Sequence, residues 1–337
     1  MNDKPELTTS MWPLGKSKFV APYRMNTKIE VKSPSHTYSP VGQCIYCGTR
    51  ASKLKEEHII PLSLGGNLVL PASSCVDCES ITGRFEQEIA RHFIWPFRTG
   101  MGFPSRKKKN PEDFEIDFIL EDDSCERVRI ERRLYPTELY LHKFTTCGFL
   151  AGKSDEEKTD SIAVVGWRNG PAFEEVKRVL FSFALDVERR TKKRVKAVAP
   201  ARYFYPAPFA QMLAKISHSY AVAELGAISF RPILLDIIST DVRQKRESQA
   251  AKDISHFVGG SIEAFPHHDD LLHSVDIELV DVGGRTYVVV QLWLFAIVGG
   301  AKYHAVVGEA LDKAVEQVRS NLPGSYARSI KVSLKSP

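Results

Sequence analysis

The chain has 337 residues, of which 43% are hydrophobic and 26% are charged, and its formal net charge is +5. This composition is typical of a globular protein of about two domains and excludes wholesale disorder. The longest apolar run, residues 287–298, includes Gln291 and is too short to span a membrane, so it predicts a buried strand.

Positive charge is concentrated in the first third of the chain. Residues 1–110 hold 16 Lys and Arg against 9 Asp and Glu, a balance of +7, and the remaining residues hold 30 against 32, a balance of −2. This bias favours a polyanionic partner without establishing one. The first ten residues form no apolar signal segment, and we therefore expect a cytoplasmic protein.

The chain begins with a proline-rich segment. Prolines and scattered lysines over residues 1–40 predict an extended N-terminal arm that lies over the protein or on a partner. A cysteine-rich segment, residues 41–96, follows this arm.

Two Cys-x-x-Cys pairs flank a spacer of 27 residues. Thiolates at this spacing can close on a tetrahedral metal ion, and two pairs complete a four-sulfur zinc shell. A disulfide framework would instead need a secreted protein, which the N-terminus does not indicate. The expected zinc ligands are Cys44, Cys47, Cys75 and Cys78. The two remaining cysteines, Cys125 and Cys147, are expected to be buried small side chains.

The spacer predicts two short strands joined by a glycine turn. The first strand contains Glu57-His58 within the run EHIIP, the turn is Gly65-Gly66, and the second strand begins at Asn67. A helix should then run from about Cys78 to Phe93. The residues of its core-facing side are Ile81, Phe85, Ile89 and Phe93. Strand, turn, strand and helix would thus be pinned at both ends by zinc.

These features resemble the zinc-bearing branch of the HNH endonucleases, whose fold is the ββα-metal finger. The shared features are the two cysteine pairs, the Glu57-His58 pair, and Asn67 directly after the two glycines. One position departs from the pattern, because Glu79 follows the last cysteine where the family usually has His or Asn. The resemblance covers about 45 of the 337 residues.

The resemblance implies metal-dependent hydrolysis of phosphodiester bonds in DNA. His58 would be the general base that activates water, since an imidazole titrates in the neutral range. Asn67 would brace the loop that carries His58. Glu57 and Glu79 would hold the catalytic cation, and two carboxylates with several waters suit magnesium or manganese better than zinc. Glu57 and His58 would point to opposite faces of a regular strand, so a kink near Pro61 is implied.

A basic linker is expected over residues 97–112, after the finger ends near Trp95-Pro96. Its four adjacent cations could neutralise phosphates of a nucleic acid. A solvated loop is the alternative interpretation. The four residues are Arg106, Lys107, Lys108 and Lys109.

Residues 113–337 predict a mixed β and α accessory region, with two subdomains that divide near residue 200. A hairpin is predicted from the alternation over 114–134, with further strands over 139–144, 162–167, 275–282, 286–298 and 303–307. Helices are predicted over 173–187, 207–225, 233–238 and 311–322. The histidine-rich stretch from His267 to His273 is interpreted as a surface loop, and His218 as a core or surface side chain rather than a ligand.

We therefore expect an α+β protein, with a zinc-pinned ββα finger at residues 41–96 and a larger accessory region. The first functional hypothesis is an endonuclease that cuts double-stranded DNA, with structural zinc and catalytic magnesium or manganese. Two alternatives remain open. One is a non-catalytic zinc finger that binds nucleic acid, in which Glu79 marks loss of the catalytic site. The other is a structural zinc staple on a protein-interaction or sensor domain.

Overall fold

The structure is a computed structural model that describes most of the chain. The described residues are 28–103, 113–131, 139–152, 161–165, 173–200, 206–240, 254–261, 268–322 and 324–335. Helices and strands are mixed along the chain, which confirms the α+β class. The run from Arg106 to Lys109 and the first 27 residues of the expected arm lie outside the described residues. No helix within the described part is long and apolar enough to cross a membrane.

The finger contains a three-stranded sheet. The first strands of the chain are β1 (Lys28–Val31), β2 (His36–Thr37), β3 (Lys55–His58) and β4 (Leu68–Ser74). The sheet order is β2-β4-β3, with β3 antiparallel and β2 parallel to β4. Strands β3 and β4 confirm the predicted pair, and β2 is contributed by the end of the expected arm.

The connection between β3 and β4 depends on the two glycines. Gly65 has a φ of 85°, in the left-handed region that favours glycine. A Cβ atom on Gly66 would lie 1.9 Å from the carbonyl oxygen of Ile60, so a larger residue could not pack here. The backbone just after His58 is therefore closely fixed.

The predicted helix is present but begins earlier than expected. Helix α1 (Val76–Glu88) begins at Cys75, whose sulfur accepts a hydrogen bond from the Cys78 amide at 3.5 Å. Phe85 and Ile89 are buried, which confirms the core-facing side. The chain continues through a π-helical turn (Ile89–Phe93) into α2 (Trp95–Gly100). The helical run therefore stops at Phe93, as predicted, and Pro96 lies in the first turn of the next helix, where it breaks no hydrogen bond.

The elements that follow the finger are β5 (Asp113–Leu120), β6 (Cys125–Glu131), β7 (Leu139–Lys143), α3 (Gly148–Ala151), β8 (Ser161–Val165), α4 (Phe173–Thr191) and β9 (Val195–Pro200). The hairpin of β5 and β6 is confirmed, and β9, which the sequence pattern missed, pairs with β5. Side chains of β5, β6 and α4 form a core of their own, including Phe118, Ile130 and Val187. Cys147 is buried as expected, but Cys125 is exposed, so that expectation is wrong for Cys125.

Helix α5 (Pro206–Leu225) confirms the predicted second helix and is buried along almost its whole length. A helix that is buried on all sides is typical of the centre of a large core. The short elements that follow it are β10 (Phe230–Pro232), α6 (Leu235–Ser239) and β11 (Val258–Gly260).

The C-terminal part forms a seven-stranded antiparallel sheet. Its elements are β12 (Leu271–Val282), β13 (Arg285–Leu294), β14 (Lys302–Ala310), α7 (Asp312–Arg319) and β15 (Arg328–Lys335). The strand order is β1-β15-β12-β13-β14-β10, and β11 also pairs with β14. The predicted meander is confirmed, but the strand predicted to reach residue 298 ends at Leu294 and is followed by a 3-10 turn (Ala296–Val298). Strand β1, from the expected arm, pairs with β15, a strand that the pattern did not predict.

The finger and the C-terminal sheet share one hydrophobic core. Ile59, Leu64 and Phe85 of the finger belong to the same buried cluster as Leu213 of α5 and Phe295 after β13. The predicted linker at residues 97–112, which would separate the finger from the accessory region, remains a prediction. Across that division, apolar side chains pack together, so the finger is held by the accessory region.

Candidate active site

The four predicted cysteines come together in the finger. Cys44 and Cys47 lie in the loop before β3, and Cys75 and Cys78 lie at the start of α1. Their sulfur atoms all lie within 4.8 Å of one another, and Cys47 Sγ is 3.7 Å from Cys75 Sγ. Tetrahedral zinc with bonds of about 2.3 Å needs sulfurs at this spacing. The donor set therefore fits zinc, and it is the only cluster of three or more potential ligands among the described residues.

The electrostatics of the cluster favour a bound dication. Burial raises the pKa of Cys44, and burial followed by the neighbouring Cys75 and Cys44 raises the pKa of Cys78. The hydroxyl of Thr49 lowers the pKa of Cys47 to about 6. Thiolates are the form that binds metal, so four of them so close together require a cation to neutralise their charge.

His58 lies at the end of β3 with its side chain 31% exposed. Its Nε2 is 3.6 Å from Oε1 of the exposed Glu56. Its Nδ1 is buried and has no hydrogen-bond partner in the described part of the chain. A bound molecule can reach the exposed part of the ring rather than the buried Nδ1, and such access is what a general base requires.

Glu57 points to the interior and is only 6% exposed. The pairing of β3 with β4 is irregular between Lys55 and Glu57, and Glu57 and His58 differ in exposure as neighbouring strand residues do. The Glu57 carboxylate pairs with Lys215 Nζ of α5, which also lies 2.8 Å from Glu86 Oε1 of α1. The predicted metal ligand is therefore bound to a lysine of the accessory region.

The charges of this buried group are strongly coupled. Burial alone would lower the pKa of Lys215, but the attraction of Glu57 and Glu86 outweighs burial, and the pKa is raised. Burial raises the pKa of Glu86, and the attraction to Lys215 opposes that rise. The lysine is accordingly held as an ammonium ion between two carboxyl groups.

Glu79 has a different environment. Its side chain is 43% exposed and pairs with Lys55, which is 50% exposed. Exposed ion pairs contribute about 0–1 kcal/mol, so this one can exchange readily for another cation.

Asn67 holds the N-terminal segment in place. Its Nδ2 donates to the carbonyl oxygens of Ser33 and Pro34, each at 3.0 Å. The resemblance implies a brace for the loop that carries His58, whereas these two bonds in the described structure fix the entry to β2.

Of the two predicted ligands of the catalytic cation, Glu79 and Glu57, only Glu79 is free to bind one. Glu79 can supply one carboxylate, because its lysine partner is exposed. Glu57 cannot reach the same cation without leaving Lys215, whose side chain is 0% exposed. Removing one partner from a buried ion pair costs about 3–5 kcal/mol. The residues present thus fit a cation at Glu79 and do not fit a cation shared between Glu57 and Glu79.

Two buried histidines dock the accessory region on the finger. His218 of α5 donates through Nε2 to the Ile45 carbonyl at 2.8 Å. His273 of β12 bonds through Nε2 to the Leu64 carbonyl at 2.8 Å, and its Nδ1 accepts from the Phe295 amide. The surface-loop interpretation is wrong for His273, because this end of the stretch is the buried start of β12. His218 is a core side chain, as one of its two interpretations stated.

We expect these histidines to make stability fall in acid. Burial lowers the pKa of His218, His273 and His304 from 6.5 to about 4. The unfolded chain therefore takes up protons at a pH where the folded chain does not, and stability is lost as pH falls from about 6.5 to 4, by up to about 3 kcal/mol per histidine. Urea unfolding between about pH 7 and pH 4, with zinc content followed in the same samples, measures this loss. The variant His273→Gln should lose less stability over this range, and parallel curves for variant and wild type would contradict the assignment.

Sequence reasoning missed Lys215 and Glu86. Glu86 shares a helix face with Glu79, and this spacing was visible in the sequence. Lys215 is the one lysine or arginine in the buried helix α5, and a buried lysine requires a buried counter-charge. A lysine in a buried helix therefore predicts a carboxylate partner, but the sequence does not show which carboxylate it is.

Comparison with known proteins supports the interpretation of the finger as a segment similar to a known family. Residues 44–94 match a family model described as HNH endonuclease. Together with the cysteine cluster, this match confirms the resemblance of the segment to the HNH endonucleases. It covers 51 of the 337 residues, counted from 44 to 94. No curated protein and no solved structure matches the chain.

Proposed function

We propose that the protein is an endonuclease that hydrolyses phosphodiester bonds in double-stranded DNA, with His58 as general base. The observation that carries the proposal is the partly exposed His58 in a segment that matches the HNH endonucleases. The balance of +7 over residues 1–110 supports a polyanionic substrate. Cysteines without disulfides, as all six are here, support a cytoplasmic location.

In this reaction the imidazole of His58 takes a proton from water. The hydroxide so formed adds to phosphorus, and the bond from phosphorus to the 3′ oxygen breaks. The products carry a 5′-phosphate and a 3′-hydroxyl, whose proton comes from solvent. A magnesium or manganese ion, when bound, would neutralise charge on the phosphate. One carboxylate with waters and substrate phosphate is a common magnesium shell, so we assign Glu79 as its protein ligand. Arg106, Lys107, Lys108 and Lys109 are proposed as further phosphate contacts.

A non-catalytic nucleic-acid-binding finger is the second candidate. The observation that favours it is the pairing of both predicted metal ligands with lysines, Glu57 with Lys215 and Glu79 with Lys55. Under this alternative the protein would bind DNA but would not cut it at any cation concentration.

Incubation of the purified chain with supercoiled plasmid and either magnesium or manganese separates the two candidates. The proposal expects nicked or linear product that requires the cation. Glu79→Ala should raise the cation concentration needed for half-maximal rate by about tenfold or more, since the assigned ligand is lost. Glu79→Asn keeps an oxygen donor and should retain more activity than Glu79→Ala. Binding without cutting in every condition would favour the second candidate.

A further inference from the structure

Lys215 is placed in the finger by the helix at the centre of the accessory region. Its side chain is 0% exposed, and its ammonium group lies between Glu57 of β3 and Glu86 of α1. An ammonium group has three N–H donors. Besides the two carboxylates, Lys215 Nζ donates to the His58 carbonyl oxygen at 2.5 Å, and the Ile59 carbonyl lies at 3.4 Å.

We propose that Lys215 is a positioning residue that fixes the backbone of His58, with Glu57 as its counter-ion rather than as a metal ligand. This inference rests on the proposed function and deepens it, because it names the accessory residue on which the geometry of the base depends. The accessory region would then take part in catalysis by holding the strand that carries the general base.

The hydrogen bond from Lys215 to the His58 carbonyl distinguishes a positioning role from a role in docking the accessory region on the finger. His218 and His273 also bind finger carbonyls from the accessory region, but at Ile45 and Leu64. Of these three buried side chains, only Lys215 bonds to the residue that carries the proposed base. A displacement of about 1 Å at a reacting group can cost about 10²-fold in rate.

The chemistry of the group also argues against a purely stabilising role. A buried ion pair adds little net stability compared with apolar residues of similar volume, because both charges lose their hydration. Leucine or methionine at position 215 would suit the apolar helix α5 as well. A lysine at this position supplies N–H donors, and one of them donates a hydrogen bond to the His58 carbonyl oxygen.

The test compares Lys215→Met with the double variant Glu57→Gln/Lys215→Met. In Lys215→Met the buried Glu57 and the partly buried Glu86, whose side chain is 24% exposed, lose their cation, so this variant is expected to be unstable. The double variant removes one of those charges, and burial already raises the pKa of the other group, Glu86, toward its neutral form. Its melting temperature should therefore recover. Its kcat should stay about 100-fold below wild type with little change in KM, because the His58 carbonyl still lacks its donor.

The variant Glu57→Gln tests the counter-ion role without relying on activity. If Glu57 is a counter-ion, manganese affinity measured by calorimetry without DNA should stay within about twofold of wild type. A loss of about tenfold or more would assign Glu57 to the cation and overturn the inference. This measurement also holds if both Lys215 variants fail to fold.

The matched control is His218→Leu, which removes a buried bond between α5 and the finger away from β3. It should lower the melting temperature and leave kcat within about threefold of wild type. A kcat in the double variant equal to wild type would overturn the inference and leave the proposed function intact. An equal loss of kcat in His218→Leu would also overturn it, since docking alone would then explain the effect. A wild-type protein that does not cut would overturn the proposed function and this inference with it.

Discussion

His58→Ala is expected to lower kcat for plasmid cleavage by about 10²–10⁴-fold, the usual contribution of a general base. The substitution removes the nitrogen that accepts the proton and leaves the carbonyl that binds Lys215 in place. Affinity for DNA and for the cation should therefore stay close to wild type, so the loss appears in kcat rather than in KM. Single-turnover cleavage at saturating protein and cation measures the chemical step.

The control for this substitution is His36→Ala. His36 lies on β2 of the same small sheet, is exposed, and packs its ring against Tyr38. Its removal changes one histidine of the finger without touching β3, and cleavage should remain. A His58→Ala protein that cuts at the wild-type rate would exclude His58 as the base, and cleavage would then require another group.

Cys75→Ala is expected to remove bound zinc and to unfold the finger. Structural zinc supplies about 10–16 kcal/mol of apparent binding free energy in small zinc domains, which is comparable to the whole stability of a typical protein. Cys75 has a second role here, because its sulfur accepts the hydrogen bond that caps α1. Unfolding of the finger should also destabilise the accessory region, because the two share one core. Ile45 lies between the first two cysteines, and its carbonyl is bound by His218 of α5.

Zinc content and thermal unfolding measure this effect together. The wild type should hold about one zinc per chain, and Cys75→Ala should hold almost none and melt at a much lower temperature. Cys125→Ala is the control, because Cys125 is exposed and lies outside the cluster. A Cys75→Ala protein that keeps its zinc and its melting temperature would show that the cluster does not hold a structural metal.

Much of the finger could be predicted because its signals are local. Two cysteine pairs, one His and two glycines lie within 35 residues, counted from 44 to 78, and zinc geometry restricts how such a segment can fold. The strands of the meander were equally clear, since alternation and Gly-Gly turns act between neighbours in sequence. Strands β1, β9 and β15 are among those that were missed. Each is completed by a partner distant in sequence: β1 and β15 pair with each other, and β9 pairs with β5.

The environment of the predicted ligands could not be derived in the same way. The pattern placed Glu57 and Glu79 together at a cation, whereas Glu57 faces the interior and Glu79 faces solvent. Lys215 meets His58 across 157 positions of sequence. Which buried carboxylate a lysine finds depends on how α5 packs against β3 and α1, and packing is a property of the whole core. The sequence therefore specifies the four-cysteine cluster and the position of the proposed base, because their spacing is short. The partner of Glu57 is fixed only by the folded core, because burial forces a charge to pair with whichever opposite charge the core brings to it.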